Sequence, residues 1–389
     1  MDNIKIKEER GIKLSSTQEN LLAGLNAVSR ISSKNVNLPI LQNVLLKVDD
    51  NFLRLSTTNL EIAISCIVRG KIEQSGEFTV PARVFAEYIN ALPQGKIDLS
   101  IKGKTLCVSA GSSKTSIQGI SASEFPVIPH IEDGKKFLIK INTFKNAAQR
   151  VLFSVAQNEA ARPELSGVFF RFNEIAPNTL IMVATDSYRL GEIVVNLIES
   201  SEKEAKHVIV PAKTVAEITR ILSGLSDELD DSETLTITVA ENQIQFETGN
   251  TELISRIIEG EYPDYRQIIP TKFKTETVIS RTEFIQSVKA TSLFAKAGLF
   301  DVQLMFEPGK ILNISAADNQ TGESETQVSC NTTGEGNKVV VNFRYLLDGL
   351  GAIKSEEVQL KLIDGSNPLL VLPNDKEEQY TYIVMPIKQ

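Results

Sequence analysis

Residues 78–92 read FTVPARVFAEYINAL: an apolar run, a Val-Pro step that ends it, then apolar residues returning at helical spacing. Residues 208–222, VIVPAKTVAEITRIL, repeat the pattern, and a fainter third copy, VVVNFRYLLDGLGAI, occupies residues 339–353. The copies lie about 130 residues apart, too far for a solenoid unit and close to the length of a domain. The 389-residue chain therefore reads as three related domains in tandem.

Two further markers keep the same order. An apolar run ends in a small polar cluster at residues 53–61 (LRLSTTNLE), 180–189 (LIMVATDSYR) and 311–320 (ILNISAADNQ). Glu124-Phe125-Pro126 through Pro129, and Glu261-Tyr262-Pro263 through Pro270, close the first two units. The predicted domains are residues 1–131, with 1–11 as an extension outside the repeat, then 132–270 and 271–389.

Within each unit a helix opens the repeat and a second follows the Val-Pro or Val-Asn step. Ser16-Thr17-x-Glu19 resembles a helix start, followed by Leu21, Leu22, Leu25 and Val28; its counterparts begin near Asn142 and Arg281. The second helices offer the faces Val84, Phe85, Tyr88, Leu92, then Val215, Ile218, Leu222, then Phe343, Leu346, Leu347, Leu350. Runs of period two between them, such as residues 96–107 and 234–246, predict antiparallel sheet with two helices on one face, an α+β unit. The acidic stretch 226–233 reads as a solvated loop.

Hydrophobic content of 42% and charged content of 23% are those of an ordinary globular protein. No run reaches the ~18 apolar residues of a membrane span and the polar start is no signal peptide, which predicts a cytoplasmic protein. Cys66, Cys107 and Cys330 stand singly within strand-like stretches, without metal or redox spacing.

Catalytic candidates fail one by one. His130 and His207 have no triad partners. Gly103-Lys104-Thr105 echoes a phosphate loop, but Asp98 stands where the opening glycine belongs, so the segment reads as a hairpin turn. Thr185-Asp186 and Asp318 could be metal ligands, yet Thr58-Asn59 holds the same repeat position with an uncharged amide, and a turn accounts for all three. No catalytic residue, metal or cofactor is expected.

Net charge is −8, unfavourable for a nucleic-acid binder unless the basic groups are concentrated. The predicted helices, residues 16–30, 82–92, 142–157, 212–222, 281–296 and 342–353, hold ten basic residues against five acids. That is +5, leaving −13 for the remainder. Helices on one face of their sheets would offer a basic surface to a phosphate backbone, with contacts that carry no sequence information.

Several segments resemble the bacterial DNA polymerase III beta subunits, the sliding clamps: Asn37-Leu38-Pro39-Ile40-Leu41, Thr79-Val80-Pro81-Ala82-Arg83, Ala184 to Leu190 (ATDSYRL), Tyr262 to Arg266 (YPDYR) and Tyr382 to Pro386 (YIVMP). The resemblance covers residues 12–389 in order. It implies a head-to-tail homodimer closing a ring of six domains, sheets outside and helices lining the hole. Such a ring encircles duplex DNA without sequence preference, slides, and tethers the replicative polymerase and repair factors, while a separate clamp loader uses the ATP. The alternative is a three-domain scaffold that does not close.

The resemblance also implies site residues. A partner-peptide pocket would use Leu165, Thr185, Ser187, Tyr188, Arg189, Leu190, Pro263, Gln267, Ile268, Leu299, Asn342, Tyr345, Pro368, Ile383, Val384, Met385, Pro386 and Ile387, taking peptides anchored by Leu or Phe. Lys34, Arg83, Arg150, Arg162, Lys213, Arg220 and Lys289 would face DNA. Leu293 and Phe294 would pack on the partner near Thr115 and Ile117. The family commonly has Gly-His where Ser187-Tyr188 stands, often Arg at Gln267, and a different ending from Ile387-Lys388-Gln389.

Overall fold

The computed structural model describes residues 11–32, 38–131, 133–157, 162–224 and 233–388. Lys34, Asn37, residues 1–10 of the extension and residues 226–232 of the acidic loop lie outside them. The described chain divides into two compact units, one reaching Leu138 and adding Thr234–Arg256, the other formed by Ile139–Leu222 and Ile257–Gln389.

In the first unit, α1 (Gln18–Val28) and α2 (Ala82–Ala91) pack on each other. Thr17 caps α1, its side chain accepting from the Asn20 amide at 3.2 Å. The cap falls one residue later than a Ser16 start because Lys13–Thr17 is itself a strand, paired through Thr17 with Lys96–Lys102. Gly24 lets α1 lie close on the sheet; a Cβ there would stand 2.5 Å from Val68. The buried face of α2 is Ala82, Phe85 and Ile89, and Val84, predicted to point inward, is 53% exposed.

The five strands Lys71–Gln74, Lys13–Thr17, Lys96–Lys102, Thr105–Ala110 and Ser113–Gln118 are neighbours in that order. Gly103, at φ 58°, turns the hairpin in which Lys102 pairs Thr105, so this segment is the predicted turn. A second run places Thr234–Val239, Gln243–Thr248, Thr251–Arg256, Ile62–Val68, Leu53–Thr58, Asn43–Val48 and Gly76–Pro81 side by side. Here strands of the first and second repeats join edge to edge, Cys66 opposite Thr251 and Ile62 opposite Ser255.

The second unit repeats the plan. Twelve strands form one antiparallel sheet, and its inter-repeat seam joins Arg189–Asn196 to Tyr380–Val384, Arg189 opposite Val384 and Ile193 opposite Tyr380. Four helices belong with it: α3 (Ile141–Val151), α4 (Ala212–Gly224), α5 (Arg281–Thr291) and α6 (Phe343–Ala352). α3 and α5 are shorter than predicted, each tightening into a single 3-10 turn at Leu152–Ser154 and Ser292–Phe294. On α6, Gly349 lies so close to the buried Tyr382 that a Cβ would meet its ring at 2.1 Å.

Candidate functional site

The polar clusters that end the repeated strands are one turn built three times. Thr185 Oγ1 donates to the Arg189 carbonyl at 2.6 Å, and Asp186 Oδ1 accepts from the amides of Tyr188 and Arg189 at 2.9 and 3.0 Å. In the first repeat Thr58 Oγ1 donates to the Ile62 carbonyl, and Asn59 Oδ1 accepts from Glu61 and Ile62. In the third, Asp318 Oδ1 accepts from Gln320 and Thr321. A short acceptor side chain satisfying two amides is what the turn requires, whether it is Asp or Asn. Ser187 and Leu60 occupy the same left-handed position, each at φ 76°.

What differs is the cargo of the turn. At the second seam it carries Tyr188, 63% exposed, and Arg189, whose side chain is 11% exposed. Arg189 bonds Asp186 through Nε at 3.0 Å and Asp348 through Nη1, and lies over the rings of Tyr345 (4.5 Å) and Phe153 (5.4 Å). Burial acts to lower its pKa, but Tyr382, Asp348 and Asp186 outweigh burial and hold the guanidinium charge firmly. The Tyr188 and Tyr345 rings are stacked at 6.5 Å.

The C-terminal strand closes one side. Beyond its pairing with Arg189–Ile193, the Met385 amide donates to the Tyr188 carbonyl at 2.8 Å, and Ile387 donates to Val340 at 2.8 Å, with Pro386 bridging Val341. Leu190, Ile383 and Tyr265 belong to one buried cluster, with Tyr262, Ile269 and Phe273 half-buried over it. Next to it, Tyr265–Ile268 forms a 3-10 turn held by the Tyr265 hydroxyl, which donates to Glu192 and accepts from Arg171 at 2.6 Å. Burial and the Glu192 carboxylate push that phenol well above its ordinary range.

The predicted pocket residues thus differ in depth. Leu165, Thr185, Leu190, Ile383 and Val384 are buried and offer little surface to a partner. Tyr188, Ile268 (39% exposed) and Leu299 (52% exposed) are apolar side chains turned to solvent, with half-buried Met385, Pro386, Ile387, Pro263 and Tyr345. Gln267 is exposed and bonds Asp264. Asn342 caps α6 through the Arg344 amide, and Pro368 precedes Leu369, the residue opposite Val384. Asp348, Phe153 and Tyr262 are not among the expected pocket residues. Asp348 was legible as the residue one helical turn after Tyr345.

The cations expected to face DNA need revision. Arg150 is 9% exposed, bonded to Glu378 and stacked 4.3 Å from the centre of the Tyr380 ring, so it is a structural charge and not a phosphate contact. Arg220 is half-buried and bonded to Glu217, while exposed Arg83 and Arg162 bond Glu87 and Glu164. Lys213 and Lys289 are exposed on α4 and α5. The tally of +5 includes Arg150, whose partner Glu378 lies outside the helices, and so overstates the basic surface.

At the expected subunit contact, Leu293 is 75% exposed, and Phe294 lies against Gly322. Ile117, in contrast, is 8% exposed and offers little surface. It lies in the floor of a hollow of about 300 Å³ shared with Pro81, Val84, Tyr88, Thr115 and Gln118. Val84 and Tyr88 were read as helix core, and this hollow is where they stand instead.

The family models described as DNA polymerase III beta subunit, N-terminal, central and C-terminal domains match residues 12–129, 138–264 and 266–388. The chain is 30% identical to the beta sliding clamp of Synechocystis across 97% of this chain and 99% of that one. A crystal structure of the Pseudomonas aeruginosa sliding clamp bound to griselimycin is 28% identical with TM-score 0.90, covering 97% of this chain and all of that one. The Bacillus subtilis DNA polymerase sliding clamp is 25% identical, also with TM-score 0.90, covering 97% and 99%. Three tandem clamp domains, matched in order by family models and along their length by solved clamps, make this chain a member of the DNA polymerase III beta subunit family, the beta sliding clamps.

Proposed function

We propose that two copies of this polymerase processivity factor close head to tail into a ring around duplex DNA, and that partner peptides dock in the cleft between Tyr188, Ile268, Leu299 and the C-terminal strand. The observation that carries the ring is a pair of unused edges. Ser113–Gln118 corresponds to Thr251–Arg256 and Tyr380–Val384, the strands that complete the two seams, and it ends its sheet. Gly322–Val328 corresponds to the opposite partners, Ile62–Val68 and Arg189–Asn196, and among the described residues it pairs on one side only, with Gly309–Asp318.

Two edges of matched kind, left open in one chain, are satisfied by a second copy. Carrying over the register of the two seams sets Thr115 opposite Ser324 and Ile117 opposite Gly322. That register brings Phe294 to the seam and leaves Leu293 for the hollow beside Val84 and Tyr88. Closure lets weak, screened phosphate contacts suffice, so Lys213 and Lys289 assist sliding without fixing a position. Such a ring has no catalytic step of its own and acts where the chromosome is, in the cytoplasm; among the described residues no helix is long and apolar enough to cross a membrane.

Retention on nicked circular DNA, with a clamp loader present, tests the ring. Topological linkage predicts loss after the circle is cut, whereas retention on the linear product would contradict it. Sedimentation mass gives a second test, expected at twice the 42.8 kDa chain mass. A monomer at micromolar concentration would remove the ring.

A further inference from the structure

We infer that the cleft selects peptides whose apolar anchors are flanked by Lys or Arg and disfavours peptides with Asp or Glu there; this rests on the cleft being the peptide site. Arg189 brings one positive charge but faces two carboxylates, Asp186 and Asp348, and Asp348 is 46% exposed. At Gln267 the side-chain amide bonds Asp264 at 2.9 Å without neutralising it, and Asp264 is exposed. Glu164 is matched by Arg162, and Glu174 and Glu192 together by Arg171 and Arg266 around the Tyr265 hydroxyl, so those groups add no net charge. Asp186, Asp348 and Asp264 against Arg189 leave two negative charges beside Tyr188 and Ile268.

These carboxylates act on the cleft itself. Asp186 and Glu164 are close enough to Tyr262, and Asp186 and Asp348 to Tyr345, to help raise both phenols, whose shifts begin with burial. The Tyr262 hydroxyl is buried against the Thr185 backbone. Of the exposed cations near these residues, Arg266 is paired with Glu174, Arg344 lies over the Phe300 ring, and Lys388 follows Ile387. A basic flank next to the anchors gains attraction at the acidic end, and an acidic flank meets repulsion.

The test uses the full-length protein and two fluorescent peptides with identical Leu and Phe anchors, one flanked by Lys and one by Glu. Titration by anisotropy at low salt is expected to give the Lys peptide about tenfold tighter binding, shrinking severalfold at high salt. D264N is expected to reduce the preference without changing binding of a neutral-flanked peptide. Equal affinities, or tighter binding of the Glu peptide, overturn the inference while leaving the cleft in place. Binding of neither peptide overturns both.

Discussion

The two seams of the chain share a backbone and differ in what they present. Each pairs an edge strand after a Thr-Asx turn with the last strand of the next repeat, with a left-handed residue at the same place. At the first seam the turn carries Leu60 and Glu61, and a hollow of about 390 Å³ is lined by Leu60, Ile62, Pro126, Val127 and Ile254. Its polar ties are sparse: Thr251 Oγ1 donates to Cys66 Sγ at 3.4 Å, and Arg54 lies 3.8 Å from Glu252. At the second, the same turn carries Tyr188 and Arg189, the strand runs on into Met385–Ile387, and Glu378 collects Arg150 and the amides of Lys354 and Ser355. Identical pairing therefore does not by itself distinguish the seams; the side chains of one turn and the extended tail set the proposed docking site apart.

Breaking the second seam's special features should hurt in order of their depth. Deleting Met385–Gln389 removes a wall and is expected to reduce Leu/Phe peptide affinity below detection while the sedimenting dimer persists; retained affinity would move the site elsewhere. Arg150→Ala leaves the Glu378 carboxylate buried without its cation, and about 3–5 kcal/mol of stability should be lost in denaturant titration. The salt dependence of DNA retention should not change with it, unlike the double variant Lys213→Ala and Lys289→Ala, which should flatten that dependence.

Smaller changes sharpen the likeness. Ser187→Gly and Leu60→Gly each relieve a left-handed non-glycine residue, and each should raise stability by up to about 1 kcal/mol, similarly at the two seams. The smallest effect is a pH profile. Burial acts to raise the Glu174 carboxyl, but hydrogen bonds from His207 and Arg171 outweigh it and hold the group below its ordinary value of 4.5. A lowered carboxyl stabilises the fold fully above its unfolded pKa and loses that contribution as pH falls through its folded value. The stability gap between wild type and E174Q should be widest near neutral pH and close in acid.

The repeat was legible because helix faces and turn residues are local: Val-Pro steps, Thr-Asx clusters and the spacing of Val215, Ile218 and Leu222 can be read from neighbours in sequence. The seams were not, since strand pairing between residues such as Cys66 and Thr251 leaves no local pattern in either strand. Arg150 was misread for the same reason: its partner Glu378 is 228 residues away. Val84 was apolar at a plausible helical position, and only the bare edge beside it explains its exposure. The cleft residues came from family resemblance, which supplied positions but not depth, so buried residues such as Leu190 and Ile383 stood beside exposed ones such as Ile268.

Hydrogen–deuterium exchange of the full-length protein, free and saturated with a Leu/Phe-anchored peptide, tests the contrast between the seams most directly. Protection is expected at Tyr188–Leu190 and Met385–Ile387, with none at Leu60–Ile62. Equal protection at both turns, or none at the second, would contradict the assignment of docking to the second seam.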